Sequence, residues 1–336
     1  VGNDKQMNIT RRGLGAAGLA LGAATFTGAR PAIAAGEAYP SGPVRVVIPF
    51  APGGSADVFG RMIAEHLGKE FGKPFVCENV GGAGSTLGIG QVARAAPDGQ
   101  TIGLGSISGL SIIPAFGNVP ITYKVEDFAL LGQITTIPNV LAVNPKTVQA
   151  RSVAEFIAWA KANPGKATYG TPGVGTSQHL AAELFQAMTG TSMVHVPYRG
   201  SGPMVVDLLS GAIDLSFDNI PLLLPYVADK RLVLLGSATR ERPDFDRNLP
   251  AIAETLPGFE AVAWHGFFLP KGTPPEIANR LSTAIIAFMK QPATIARFAE
   301  LGATAYSSTP AEFTAFVKQE TQRWGQLIAE RKIQPS

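Results

Sequence analysis

Chemistry in this 336-residue chain would have to come from few side chains: one cysteine, four histidines and the serines of several glycine-bearing turns. A Ser-His pair is the first to test. "GTSQH" holds Ser177, but the glycine that a nucleophile elbow wants two residues later is His179. Two apart on a helix, Ser177 and His179 point to different sides and cannot pair directly, so a hydrolase would need a histidine from elsewhere. Metal chemistry has no framework either: His66, His179, His195 and His265 fall on separate elements, without H-E-x-x-H or a cysteine cluster. Glu65-His66 reads as an ordinary pair on a solvated helix face. Cys77 stands alone in the apolar run "PFVCENV", where a thiol behaves as a small hydrophobe with nothing nearby to lower its pKa. No metal and no cofactor are expected.

Nucleotide binding fails on charge and spacing. "PFAPGGSADV" follows the strand-like "VRVVI" and precedes a helix, as phosphate loops do, yet no lysine follows to meet a β/γ-phosphate. "GGAGSTLGIG" departs from a dinucleotide fingerprint because Leu87 takes the place of the third glycine and Gly88 comes one position late. What remains is a set of polar, glycine-bearing turns at strand ends. They are Phe50, Ala51, Pro52, Gly53, Gly54, Ser55, Ala56 and Asp57 after the first strand; Ser106 and Ser108 in "GSISG"; Gly173, Val174, Gly175, Thr176 and Ser177 after "ATYG"; and Asp218-Asn219 ending "DLSFDN". Two of these turns open predicted helices, where unpaired backbone N–H groups and the helix dipole make an anion site that needs no Arg or Lys. Glycine lets a ligand approach the backbone, and serine and threonine hydroxyls add donors. Asp57 is read first as a cap for its own helix and second as a ligand contact. Arg199 in "PYRGSGP" is either a partner for a second carboxylate or a structural side chain.

These turns must be held by strands and helices that alternate along the chain. "VRVVIPF", a helix through "SADVFGRMIAEHLGKEFG", "FVCENV", a helix through "TLGIGQVARAA" and "TIGLGS" give a βαβαβ rhythm. "FALLGQI" and "VLAVNP" add strands, and from about Ser152 the rhythm restarts. The fold class expected is α/β, with two lobes, each a mostly parallel sheet flanked by helices. Lobe I is assigned to 39–142 plus 264–336 and lobe II to 143–263, with crossovers near Ala142 and Trp264.

Composition agrees with a water-facing α/β protein. The formal charge of +3 lies wholly in residues 1–35, and the remainder carries 24 basic and 24 acidic side chains, so no nucleic-acid surface is indicated. Residues 1–35 themselves read as an export signal: basic residues, an apolar run from Leu14 to Phe26, and an A-x-A pattern that places cleavage near Ala34-Ala35. Thirteen residues interrupted by glycine are too short to span a membrane. Arg11-Arg12 resembles a twin-arginine signal, and the general secretory route stays open as well.

"VRVVIPFAPGGSADVFGRMIAEHLGK", "AAPDGQTI", "ATYGTPGVGTSQHLAAELF", "VHVPYRGSGPMVVDLLSGAIDLSFDN" and "LPAIAETLPGFEAVAWHGFFLPKGTP" together resemble the Bug-type, or tripartite tricarboxylate transporter, substrate-binding proteins from Tyr39 to about Gly325. The resemblance implies a periplasmic "Venus flytrap" that takes a small organic carboxylate between its lobes. Di- and tricarboxylates, acidic amino acids and aromatic carboxylates are the expected classes. It implies main-chain donors from Phe50–Asp57 and Gly173–Ser177 on one carboxylate, with Asp218-Asn219 across the cleft. It also implies a monomer that works with a two-component membrane permease, a sensory role being the variant. Val174 stands in a turn that is often richer in Ser and Asn, which would make that part of the pocket more apolar.

Overall fold

The computed structural model describes residues 39–335; the expected export signal, 1–35, lies outside them. The first half runs β1 (Val44–Ile48), α1 (Ser55–Phe71), β2 (Phe75–Asn79), α2 (Thr86–Ala93), β3 (Thr101–Ser106), a π-helical turn (Ser108–Ile112), α3 (Ile113–Phe116) and β4 (Phe128–Val143). Then come α4 (Val153–Ala162), β5 (Thr168–Thr171), α5 (Ser177–Thr189), β6 (Val194–Pro197), α6 (Ser201–Ser210), β7 (Leu215–Asn219), α7 (Ile220–Ala228) and β8 (Val233–Ser237). The chain closes with β9 (Val262–Pro270), α8 (Pro275–Met289), α9 (Pro292–Glu300), β10 (Thr304–Ala305) and α10 (Pro310–Arg331).

Two sheet blocks share one strand. The first has the order β2-β1-β3-β9-β4, with β10 on the far side of β4. The second has the order β6-β5-β7-β4, with β8 on the far side of β4. Within each block the βαβ strands are parallel: β1 with β2 and β3, and β5 with β6 and β7. Their apolar runs follow from burial on both faces; Val44, Val46, Val47 and Ile48 of β1 are all buried. The long strands β4 and β9 run antiparallel to their partners, so the sheets are mixed.

The sequence suggests two strands where β4 is one strand of 16 residues. Gly132 and Pro138 look like breaks, but both are accommodated. Register shifts flank Gly132, and Pro138 pairs with Val262 at the last position before β4 changes partner from β9 to β7. A proline there removes no ladder bond that the next pairing needs.

The helices cover both blocks. α1 buries Phe59, Ile63 and Leu67 and stops at Gly72, whose φ of 66° suits a left-handed C-cap. The C-terminal helices pack on the first block. The Ser282 hydroxyl in α8 donates to the Leu131 carbonyl (2.7 Å), and Trp264 of β9 packs on Phe313 and Phe316 of α10 at ring distances of 5.6 and 5.4 Å. Glu320, buried in α10, receives the indole N–H groups of both Trp264 and Trp324.

Candidate binding site

The carboxyl ends of β1, β3, β5 and β7 all lead into one cavity of about 20 Å³, room for roughly one water molecule. Phe50, Gly54, Ser55, Ala56, Ser106, Ile107, Ser108, Ala263, Trp264 and His265 line it from the first block. Pro172, Ser177, Gln178, Ser201 and Asn219 line it from the second. Four helices begin here: α1 at Ser55, α5 at Ser177, α6 at Ser201 and α7 just after Asn219. Gly54, Gly200 and Asn219, which precede α1, α6 and α7, make no side-chain cap, so the first-turn amides of those helices keep their donors, except at Pro203 and Pro221, which have no N–H. Thr176 does cap α5, accepting from the His179 amide (3.3 Å). Among the described residues, no Lys or Arg lines the cavity. Its positive field is that of helix termini alone, about half a charge each.

A continuous polar chain binds the two walls. Ser55 Oγ donates to Asn219 Oδ1 (2.7 Å), and Asn219 Nδ2 donates to Asn139 Oδ1 (2.7 Å). Asn139 Nδ2 donates to the Ala261 carbonyl (2.8 Å) and to Ser177 Oγ (3.3 Å), and Ser177 Oγ donates to Gln178 Oε1 (3.1 Å). Gln178 Nε2 and Ser201 Oγ both donate to Asp218 Oδ1, at 3.1 and 2.9 Å. Asp218 is fully buried. Burial pushes its carboxyl up to about 6 against the hydrogen bonds from the Asn219 backbone, Ser201 and Gln178. Its other oxygen, Oδ2, has no partner among the described residues, and neither has Nδ1 of the buried His265.

Of the residues singled out in the sequence, Phe50, Gly54, Ser55, Ala56, Ser106, Ser108, Ser177 and Asn219 line the cavity. The others stand around it. Asp57 accepts from the Gly53 amide (3.1 Å), Arg61 Nε (2.9 Å) and Asn79 Nδ2 (2.9 Å). Burial opposes its charge, but the bonds from Arg61, Asn79 and Gly53 outweigh that and hold its carboxyl below the usual range. It thus fixes the loop before α1 rather than capping the first-turn amides of that helix. Ala51 donates its amide to the Arg199 carbonyl (3.2 Å), while the Arg199 side chain is exposed. Gly173, Val174, Gly175 and Thr176 form the turn before α5. The Val174 carbonyl comes so close to Gly84 that a Cβ there would sit 2.2 Å from it. The glycines of "GGAGS" therefore serve close packing of one turn on another. Pro52 and Gly53 complete the loop that Asp57 holds.

Gln178, Ser201, Ile107, Pro172, Ala263, Trp264 and His265 were not singled out as site residues from sequence. Ser201 carried a usable signal, because Gly200-Ser201 opens an apolar helix just as Gly54-Ser55 does. His179 and His195 stack at 4.4 Å beneath the α5 turn, and His195 Nε2 lies 2.7 Å from Thr171 Oγ1. Burial lowers both, to about 3 for His179, with His195 adding to the effect, and to about 4 for His195. They support the turn from behind.

Residues 59–333 match the model of the tripartite tricarboxylate transporter family receptor. Protein BugT of Bordetella pertussis is 36% identical over 301 residues, covering 88% of this chain and 90% of that protein. The chain belongs to this receptor family. Among solved structures, R. palustris Rpa4515 with adipate superposes on the receptor with a TM-score of 0.85 at 32% identity, covering 89% of this chain and 100% of that one. MatC from Rhodopseudomonas palustris with bound malate has a TM-score of 0.82 at 28% identity, covering 86% of this chain and 100% of its own. The periplasmic binding protein BugD has a TM-score of 0.84 at 30% identity, covering 88% of this chain and 99% of its own. The receptor has the two-lobed α/β periplasmic-binding-protein fold of these neighbours.

Proposed function

We propose that this receptor captures a small organic carboxylate between its two sheet blocks outside the cytoplasm and hands it to a two-component membrane permease. The observation that carries the reading is the convergence of four helix N-termini, three without a side-chain cap, on one cavity lined by no cation. Such a site offers backbone and hydroxyl donors to a carboxylate and too little charge for a polyphosphate. Adipate and malate in the structural neighbours support the same class. Lobe I is 39–142 plus 264–336 and lobe II is 143–263, with β4 and the approach to β9 as the connections that flex on opening. The protein acts as a periplasmic monomer after cleavage near Ala34-Ala35, without a cofactor.

Binding without turnover fits Ser177, whose hydroxyl is engaged by the amides of Gln178 and Asn139 rather than by a base. A thermal-shift screen over mono-, di- and tricarboxylates tests the reading. Ligand at a hundred times its Kd raises apparent stability by about 2.7 kcal/mol. Mass spectrometry of the recovered ligand should show it unchanged. No shift with any organic anion, or a chemically altered ligand, would sink the proposal.

A further inference from the structure

Two rims meet at the edge of the cavity, and they meet through backbone. One is the loop after β1, in the first block; the other is the turn before α6, in the second. The Ala51 amide donates across them to the Arg199 carbonyl (3.2 Å). Glycine permits this approach at three places. A Cβ on Gly81 would stand 2.9 Å from the Arg199 carbonyl oxygen, one on Gly200 2.9 Å from the Ala51 Cβ, and one on Gly202 2.8 Å from the Pro52 carbonyl oxygen. Gly54 and Ser201 belong to the same two rims and also line the cavity.

Gly202 separates the reasons for glycine. It is the second residue of α6, its φ lies outside the left-handed region, and alanine is the better helix former. Apart from its own helix and its chain neighbours, a Cβ there meets Pro52 alone within 4 Å. Local conformation therefore gives no reason for glycine, and the opposite rim does. That rim is stiff. Asp57 holds the Gly53 amide (3.1 Å), and Asn79 Nδ2 holds the Phe50 carbonyl (3.0 Å), on either side of Pro52. α6 is anchored as well, through the buried Met204, Val205 and Leu208. Two stiff rims in contact relieve a clash by parting.

We propose that this seam, Ala51 and Pro52 against Gly200 and Gly202, is the latch that the receptor makes on closing, and that Gly202 is the position that lets the two blocks shut. The inference rests on the two-block closure read above and goes beyond it by assigning the closing contact to main chain rather than to ligand. Such a latch slows release of any ligand alike and does not choose among them.

A reversible staple tests this without ligand. A Cβ on Gly54 would lie 3.7 Å from the Ser201 Cβ, and disulfides need about 3.5–4.5 Å there. Gly54→Cys/Ser201→Cys keeps the Gln178 bond to Asp218. Its two new thiols should join as oxidised glutathione takes up their electrons, read by alkylation and peptide mass mapping that tells them from Cys77. Adding Gly202→Ala should slow that closure about tenfold or more. Gly68→Ala in α1, where the nearest atom to a Cβ is the Lys73 carbonyl oxygen at 3.5 Å, should not. Without the staple, Gly202→Ala should melt at or above the wild-type temperature and release adipate and malate about tenfold faster, both alike. Gly202→Ser gives the same reading if the alanine variant does not fold. Closure at the parent rate in the Gly202 variants overturns the proposal, and so does a cysteine pair that stays reduced. Failure of the wild type to bind any organic anion sinks the carboxylate reading instead, and the staple still decides the latch.

Discussion

Ser55 and Asn219, 164 residues apart in the chain, are joined by a 2.7 Å hydrogen bond that ties the first turn of α1 to the end of β7. Both are buried: without Asn219 the Ser55 hydroxyl loses its partner, and without Ser55 the Asn219 Oδ1 keeps only the longer bond from Gln178 Nε2 (3.3 Å). Ser55→Ala and Asn219→Ala should each weaken binding of whichever carboxylate passes the screen by about tenfold, roughly 1.4 kcal/mol. The double variant should show coupling of about 1 kcal/mol in a double-mutant cycle measured by titration calorimetry. Strict additivity would mean that the bond contributes nothing to the bound state.

The two glycine turns can be separated by their surroundings. Gly84 has φ +60° and would place a Cβ 2.2 Å from the Val174 carbonyl; Gly53 has φ +91° with nothing within 4 Å. Gly53→Ala should therefore carry only the backbone cost, about 1–2 kcal/mol. Gly84→Ala adds a clash and should exceed it by about 1 kcal/mol or more. Urea unfolding of the two variants checks the order. Equal losses would show that the Val174 turn yields freely.

Asp218 makes a prediction with a definite sign. Burial raises its folded pKa to about 6 from the ordinary 3.8, so between these values the folded state holds more protons and this group's contribution falls as pH rises. Asp218→Asn keeps an acceptor for Ser201 and Gln178 and removes the charge. The stability of the variant relative to wild type should climb from about pH 4 to about pH 6 and then level off. The total gain should be on the order of 3 kcal/mol, from about 1.4 kcal/mol per pKa unit. A flat difference across that range would show that the carboxyl is not strained by burial.

Three histidines work in the opposite direction. His179, His195 and His265 are lowered to about 3, 4 and 3, so the unfolded chain takes up protons that the folded one refuses. Their contribution is whole above about pH 6.5 and shrinks as pH falls toward 4. His195→Gln should flatten that fall, measured by denaturant unfolding at half-unit pH intervals. An unchanged slope would place the acid sensitivity elsewhere.

The strand–helix rhythm and the glycine turns at strand ends are legible in the sequence, since each rests on local pattern. β4 is not, because Gly132 and Pro138 break a pattern that tertiary pairing restores. Half of the site is legible for a similar reason: a Gly-Ser step before an apolar helix marks Ser55. The same step marks Ser201, but the neighbouring Arg199 draws attention by its charge, and the structure uses only its carbonyl. His265 offers no local sign. A histidine in an apolar strand looks the same whichever face it occupies, and only the packing of β3 and the opposite block turns one face into a cavity wall.

The through-going strand has a consequence for synthesis. β4 reaches its full pairing only when Pro270 is available to sit beside Phe128, and β10 and α10 come later still. On the ribosome, the second block can assemble on the distal half of β4 while Leu130, Leu131, Ile134 and Ile137 wait on an open edge. Such late, distant pairing folds slowly and leaves an adhesive strand exposed in the meantime. Removing the segment after Val262 would not trim a tail. It would take the central ladder out of the first block and leave that edge uncovered for good.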